Sequence, residues 1–430
     1  MRFKRMSVGV VLLPFVVIVA AAAQKPAPDA QLLARAKAIH ERAITLDSHV
    51  DISGTNYATP EVDPGIDNPR LKCDLTKMER GGMKGVFLAV FVGQTPDLNP
   101  EGYKRAYDQA IPKFESLARL TQTMYPDRCA LARTPDEVER IARSGKRAIM
   151  TGVENGYPLG DDLALIRKFY DLGARYITLA HSGNNQICDS SSASKPLNNG
   201  LSEFGRRVVA EMNRVGIMVD VSHISAKSFW DVISVSKAPI IASHSGCAAI
   251  TKVGRNLDDE QLKALSKNGG VIQIVSLSSY LKEDPPERRQ AIQKLRDELG
   301  MAGMGMRGQG QPPQNLTDEQ RAAREKMRAR YDERMKEIDA LYPRATLADM
   351  INHLDHAVKV AGIDHVGIGT DFDGGGGVSG FNDHSEALNV TVELVRRGYT
   401  EEQIRKIWGG NLLRVWRDVI MVAARLQNAR

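Results

Sequence analysis

His49 and Asp51 stand two residues apart in Leu46-Asp-Ser-His-Val-Asp-Ile52, at the end of a short apolar run. On a strand that spacing sends both side chains the same way, and a neutral imidazole beside a carboxylate is a donor pair for a divalent metal. Alone, His-x-Asp also fits a capped turn after a strand. Three more of the nine histidines, His181, His223 and His244, follow other short apolar runs. So do Glu154, in Gly152-Val-Glu-Asn-Gly156, and Asp371, in Thr370-Asp-Phe-Asp373. Each is an ordinary strand-end residue by itself; the repetition of the pattern points to one metal-centred site.

His49, Asp51, Glu154, His223 and His244 supply three imidazoles and two carboxylates. That exceeds what one tetrahedral catalytic zinc with an open position uses, and it suits two metals. One carboxylate must then bridge, and Glu154 is placed for it, because its run lies between the His49/Asp51 pair and the His223/His244 pair. Two divalent ions ~3.5–4 Å apart can hold a hydroxide at neutral pH, a nucleophile for an acyl or phosphoryl centre. Nitrogen and oxygen donors favour Zn²⁺, with Mn²⁺ or Co²⁺ as alternatives. A thiol nucleophile at Cys247, three residues after His244, is the weaker alternative chemistry. Asp47 gains no role from its spacing.

The elements that must carry these residues are eight short apolar runs, at 44–52, 85–92, 148–153, 176–180, 217–221, 240–243, 271–275 and 366–369, separated by helical patterns. In a chain of 430 residues this alternation predicts an α/β fold, a (β/α)8 TIM-type barrel with its site at the C-terminal strand ends. A doubly wound open sheet shows the same alternation but gathers ligands only at its switch point. Here the reactive residues follow the first, third, fourth, fifth, sixth and eighth runs, which requires a ring. Between the seventh and eighth runs the order breaks: an insertion at about 281–345 holds a Gly/Met/Pro tract at 301–313, read as a surface loop, and a charged helix from 318 to about 341. His353 and His356, three apart on a helical pattern, are read as structural, because they precede the last run at the end of the barrel opposite the ligands.

Residues 1–23 have the form of a secretory signal, with a basic start, an apolar stretch and Ala21-Ala-Ala23 as the cleavage site. The expectation is an exported protein, periplasmic or secreted, whose residues 24–430 form a single barrel domain without a stable membrane anchor. The net charge of +6 loses three units with Arg2, Lys4 and Arg5, and so weak a surplus argues against a nucleic-acid partner. Cys73, Cys129, Cys188 and Cys247 lie far apart with no Cys-x-x-Cys pair. An exported location permits one or two disulfides, with buried free thiols the equal alternative.

The motifs LDSHVDI, GVENG, YITLAHSGNN, GLSEFGRRVVAEMNRVGIMVDVSHIS, ASHSG, GRNLDD and HVGIGTDFDG occur in this order between about residues 43 and 416. Together they resemble the membrane (renal) dipeptidases, binuclear zinc metallopeptidases on an amidohydrolase-type barrel. The resemblance implies that His49 and Asp51 bind one zinc, His223 and His244 the other, and that Glu154 bridges them. It further implies that His181 contacts the scissile carbonyl oxygen, Arg255 of GRNLDD pairs with the substrate carboxylate, and Asp371 lies near the substrate amine and shuttles the proton. Asp373 is assigned to loop structure. The implied activity is hydrolysis of dipeptides with free amino and carboxylate ends, by a homodimer; an amidase for N-acyl amino acids or related small amides is the alternative, and a non-catalytic exported binding protein is the rival from another class. The insertion is longer than in the animal enzymes, and the C-terminus lacks the apolar tail that carries their lipid anchor.

Overall fold

A computed structural model of the chain describes residues 29–52, 54–301 and 317–429. The signal-like leader and all of the Gly/Met/Pro tract except Met301 lie outside the described residues. Among the described residues nine parallel strands are present: β1 Leu46–Asp51, β2 Gly85–Phe91, β3 Cys129–Leu131, β4 Arg147–Glu154, β5 Ala174–Thr178, β6 Met218–Asp220, β7 Ile241–Ser245, β8 Val271–Ile274 and β9 Val366–Ile368. Most of them are largely apolar because strands of a parallel barrel are covered on both faces, by the lumen and by helices. Eight strands follow the order β1-β2-β4-β5-β6-β7-β8-β9. The ring nearly closes where the Asp51 amide donates to Phe372 O (2.9 Å) and the Asp371 amide to His49 O (3.0 Å), around a bridge between Val50 and Phe372. This is the expected TIM-type barrel. The addition is β3, only three residues long, which pairs with β4 alone and lies off the ring.

Several strands are shorter than their apolar runs. β6 and β7 share a single register pair, Asp220 with Ile241, and the β1 ladder shifts between Asp47 and Val50. At both interruptions a buried carboxylate replaces backbone pairing. Asp220 Oδ1 accepts from the Ser222 and Ser243 amides (3.0 and 2.8 Å), and Asp47 Oδ1 accepts from the His49 and Thr370 amides (3.1 and 2.9 Å). Asp47 Oδ2 also takes the Thr370 hydroxyl and His384 Nε2. Asp47, which spacing left without a role, therefore joins β1 to the segment that carries Asp371.

The helix Asn411–Asn428 covers the N-terminal end of the ring, where Trp416 packs edge-on to Phe87 with ring centroids 5.7 Å apart. The insertion contributes helices Pro286–Glu298 and Asp318–Leu341 between β8 and β9. They are clasped by buried Arg288, which donates to Asp339 Oδ1 (2.7 Å) and Tyr342 O (3.0 Å). The four cysteines are free and buried, so of the two alternatives the thiols hold. His353 is structural but not at the far end of the barrel: its Nδ1 accepts from the Cys247 amide (2.9 Å), just past β7, because its helix, Leu347–Ala361, runs back alongside the strand ends. Among the described residues no helix is long and apolar enough to cross a membrane.

Candidate active site

The C-terminal strand ends bring the eight singled-out residues toward one place. β1 delivers His49 and Asp51, and β4 ends in Glu154. His244 lies within β7, while His223 and Asp371 follow β6 and β9 on backbone with positive φ, 70° and 59°. Non-glycine residues in this conformation carry strain that the surrounding fold must hold, a common feature of functional sites. Glu154 is the centre. Its Oε1 is 3.0 Å from His223 Nε2, 3.4 Å from His244 Nε2 and 3.6 Å from His181 Nε2, and its Oε2 is 3.6 Å from His49 Nε2. Asp51 Oδ1 lies 3.6 Å from the same His49 nitrogen. Donor atoms fall within 4.8 Å of one another in the sets His49/Asp51/Glu154, His49/His244/Asp371 and Glu154/His181/His223.

Three of these atoms, His49 Nε2, Asp51 Oδ1 and Glu154 Oε1, are buried without a hydrogen-bond partner. Buried polar atoms left unpaired are costly, and three that converge from two strands fit a metal cluster. The electrostatics divide the cluster in two. Burial opposes charge on His49, but Glu154 and Asp51 outweigh it and hold its pKa well above the usual value. Burial and the Glu154 charge push Asp51 up to about 7. Burial, then the charges of Arg255 and His181, hold His223 neutral; burial and His49 do the same for His244. A metal needs every ligand deprotonated. Metal uptake is therefore expected to release protons from the His49/Asp51 side and none from His223/His244, with affinity falling as pH drops through the range in which His49 and Asp51 take up protons. Zinc titration calorimetry in buffers of different ionisation enthalpy reads that proton count, and pH-independent uptake between pH 6 and 8 would refute the division.

Several supporting residues carried little sequence signal. Tyr176 Oη lies 2.8 Å from His49 Nδ1, and it reaches there across Gly152, where a Cβ would stand 2.0 Å from the Tyr176 ring. The mid-strand glycine of GVENG was the available cue. Buried Lys113, from helix Pro100–Ala118, donates to Phe91 O (2.9 Å) and Ile52 O (3.2 Å), tying the ends of β1 and β2 beneath the carboxylates. Asn155, also at positive φ, donates to Val92 O (3.0 Å) and accepts from the Tyr157 amide (3.2 Å). In GRNLDD the labour is split: Asp258 caps helix Asp259–Lys267 in a capping box, and Asn256 accepts from the Gly246 amide (3.0 Å). Arg255 is thereby turned inward, donating to His244 O (3.0 Å) with its guanidinium 5.2 Å from the Tyr280 ring centroid. Asp373 is loop structure, accepting from the Lys72 amide (2.7 Å).

A nearly closed parallel barrel with imidazoles and carboxylates gathered at its C-terminal rim defines a metal-dependent hydrolase of the TIM-barrel class. The chain belongs to the membrane dipeptidase family (peptidase family M19), whose model matches residues 33–430, and it is accordingly a metallo-dipeptidase. It is 33% identical over 356 residues to the dipeptidase tcpJ of Claviceps purpurea, covering 82% of this chain and 70% of that one. To the dipeptidase verJ of Clonostachys rogersoniana it is 32% identical over 365 residues, 82% and 77% of the two chains. Among solved structures, the probable dipeptidase PvdM from Pseudomonas aeruginosa superposes with a TM-score of 0.77 at 32% identity, covering 91% of this chain and 99% of that one.

Proposed function

We propose that the protein hydrolyses dipeptides bearing free amino and carboxylate ends, using two zinc ions held by His49, Asp51, Glu154, His223 and His244. The observation that carries this reading is the convergence of unpartnered His49 Nε2, Asp51 Oδ1 and Glu154 Oε1, with Arg255 bonded to the backbone of the neighbouring His244. Two divalent cations there would supply a water-derived nucleophile at neutral pH and polarise the scissile carbonyl. His49 and Asp51 would hold one ion, His223 and His244 the other, with Glu154 shared between them.

The remaining roles fall to side chains. His181, whose Nδ1 lies 3.0 Å from Ser182 Oγ, presents Nε2 toward Glu154 and is placed to donate to the carbonyl oxygen as charge develops on it. Arg255 offers a rigid guanidinium fork, suited to a carboxylate. Asp371 sits with His49 and His244, where it can accept a proton from the attacking water and return it to the departing amine. Export through the 1–23 leader belongs to the same proposal.

The test is a panel of L,L and L,D dipeptides with and without chelator. Close to two metals per chain, activity lost to chelator and regained with Zn²⁺ are expected, and full activity in metal-free protein would overturn the reading. Faster turnover of N-acetylated than of free-amine dipeptides would instead indicate an amidase. Arg255→Ala is expected to cost about 10²–10⁴-fold in kcat/KM on free dipeptides, as when a buried charge pair loses one partner. C-terminally amidated dipeptides should be affected far less, and equal losses on both would remove its assigned role.

A further inference from the structure

The carboxylate of Asp220 is fully buried and accepts four hydrogen bonds. The Ser222 and Ser243 amides donate to Oδ1 at 3.0 and 2.8 Å, and the Thr178 and Ser243 hydroxyls donate to Oδ2, the latter at 2.6 Å. An ionised carboxylate offers about four acceptor sites and no proton, so this one is saturated and can only accept. A serine hydroxyl has a single proton. Ser243 gives its proton to Asp220, and its longer contact to Ser222 Oγ (3.4 Å) does not compete. Ser243 Oγ is also 2.9 Å from His244 Nδ1, and toward that nitrogen it can act only as acceptor. His244 therefore carries its proton on Nδ1, and its lone pair lies on Nε2, which accepts from His223 Nε2 at 2.8 Å and lies 3.4 Å from Glu154 Oε1. The Ser222 hydroxyl holds the same residue from behind, accepting the His244 amide at 3.0 Å.

His49 differs. Its Nδ1 meets the Tyr176 hydroxyl at 2.8 Å, a group able to donate or accept, so that contact does not dictate a tautomer.

We propose that Asp220 and Ser243 are positioning residues: a carboxylate–serine relay that fixes His244 in the Nδ1–H tautomer and reserves Nε2 for a metal ion. The proposal rests on the two-metal reading above. It also gives a reason for the short β6–β7 ladder, because the strand pairing stops where the Asp220 side chain takes over the Ser243 amide.

The test uses the full chain and Zn²⁺ in competition with a chromogenic chelator. Ser243→Ala is expected to weaken one of the two ions by about 10–100-fold, the range for losing a partner behind a metal-binding histidine, while the other ion stays near the parent value. Ser243→Thr, which keeps the hydroxyl, should restore most of the loss. Long-range ¹⁵N–¹H spectra of histidine-labelled metal-free protein should show His244 protonated at Nδ1 in the parent and in Ser243→Thr. Parent-like binding of both ions by Ser243→Ala would overturn the relay, even if that variant melts earlier. An Nε2–H tautomer in the parent would overturn it too, and this arm holds should Ser243→Ala fail to fold. Dipeptide assays run alongside separate the two claims. A chain that binds metal through the relay yet cleaves no dipeptide refutes the function alone, whereas an active enzyme with parent-like Ser243→Ala binding refutes the relay alone.

Discussion

Gly374→Ala is expected to lower kcat/KM by about 100-fold or more while leaving a folded barrel. A Cβ at this position would stand 2.3 Å from Asp371 Oδ1 and 2.3 Å from Asp51 Oδ2, far inside van der Waals contact. Both obstacles are side-chain ends, so the fold can yield; what yields is Asp51 or Asp371, the proposed metal ligand and the proposed proton carrier. Displacements of about 1 Å at a reacting centre can cost 10²-fold. The neighbouring Gly376 gives the contrast, since a Cβ there meets backbone, 2.1 Å from Thr370 O, and Gly376→Ala should depress folding itself. Circular dichroism with kinetics on both variants checks this. Parent-like activity in Gly374→Ala would mean that the two carboxylates are not held where the site needs them.

Glu154→Gln is expected to reduce metal affinity by about 10²–10⁴-fold, with activity following. The side chain is buried and four imidazole nitrogens lie within 3.0–3.6 Å of it. Burial alone would raise its pKa, but the charges of His181 and His49 hold it well below the usual range, so it is ionised at working pH. Removing one partner from a buried charge set costs about 3–5 kcal/mol, which converts to that loss. The amide is isosteric, so the barrel should persist. Metal content after dialysis is the direct measure, and two ions retained in Glu154→Gln would exclude it as the shared ligand.

The sequence was most legible where burial and chemistry coincide. A parallel barrel strand is covered on both faces, so most of the eight read as largely apolar runs, and a histidine or acid at the end of one stands out. β3 escaped because three residues, Cys129–Leu131, make no run. Asp47 and Asp220 escaped for a different reason: they work by replacing backbone hydrogen bonds that β1 and β6 would otherwise make, and a sequence pattern does not display a missing ladder bond. His353 was placed at the wrong end because helical spacing gives a face and not a height along the barrel. Gly374 had a visible sign, the four consecutive glycines at 374–377, but what they make room for is two carboxylates, one of them more than 300 residues away in the chain.

The closure of β1 on the β9 segment also sets a schedule. Asp47 and Thr370, which hold the two together, are 323 residues apart. At roughly 5–20 residues per second of synthesis, β1 waits about 15–65 s for its second neighbour. During that time it is an unpaired sheet edge, open to other chains, with His49 and Asp51 already made and Asp371 still to come. Slower synthesis lengthens this wait, so yield should fall as translation is slowed and recover as it is speeded.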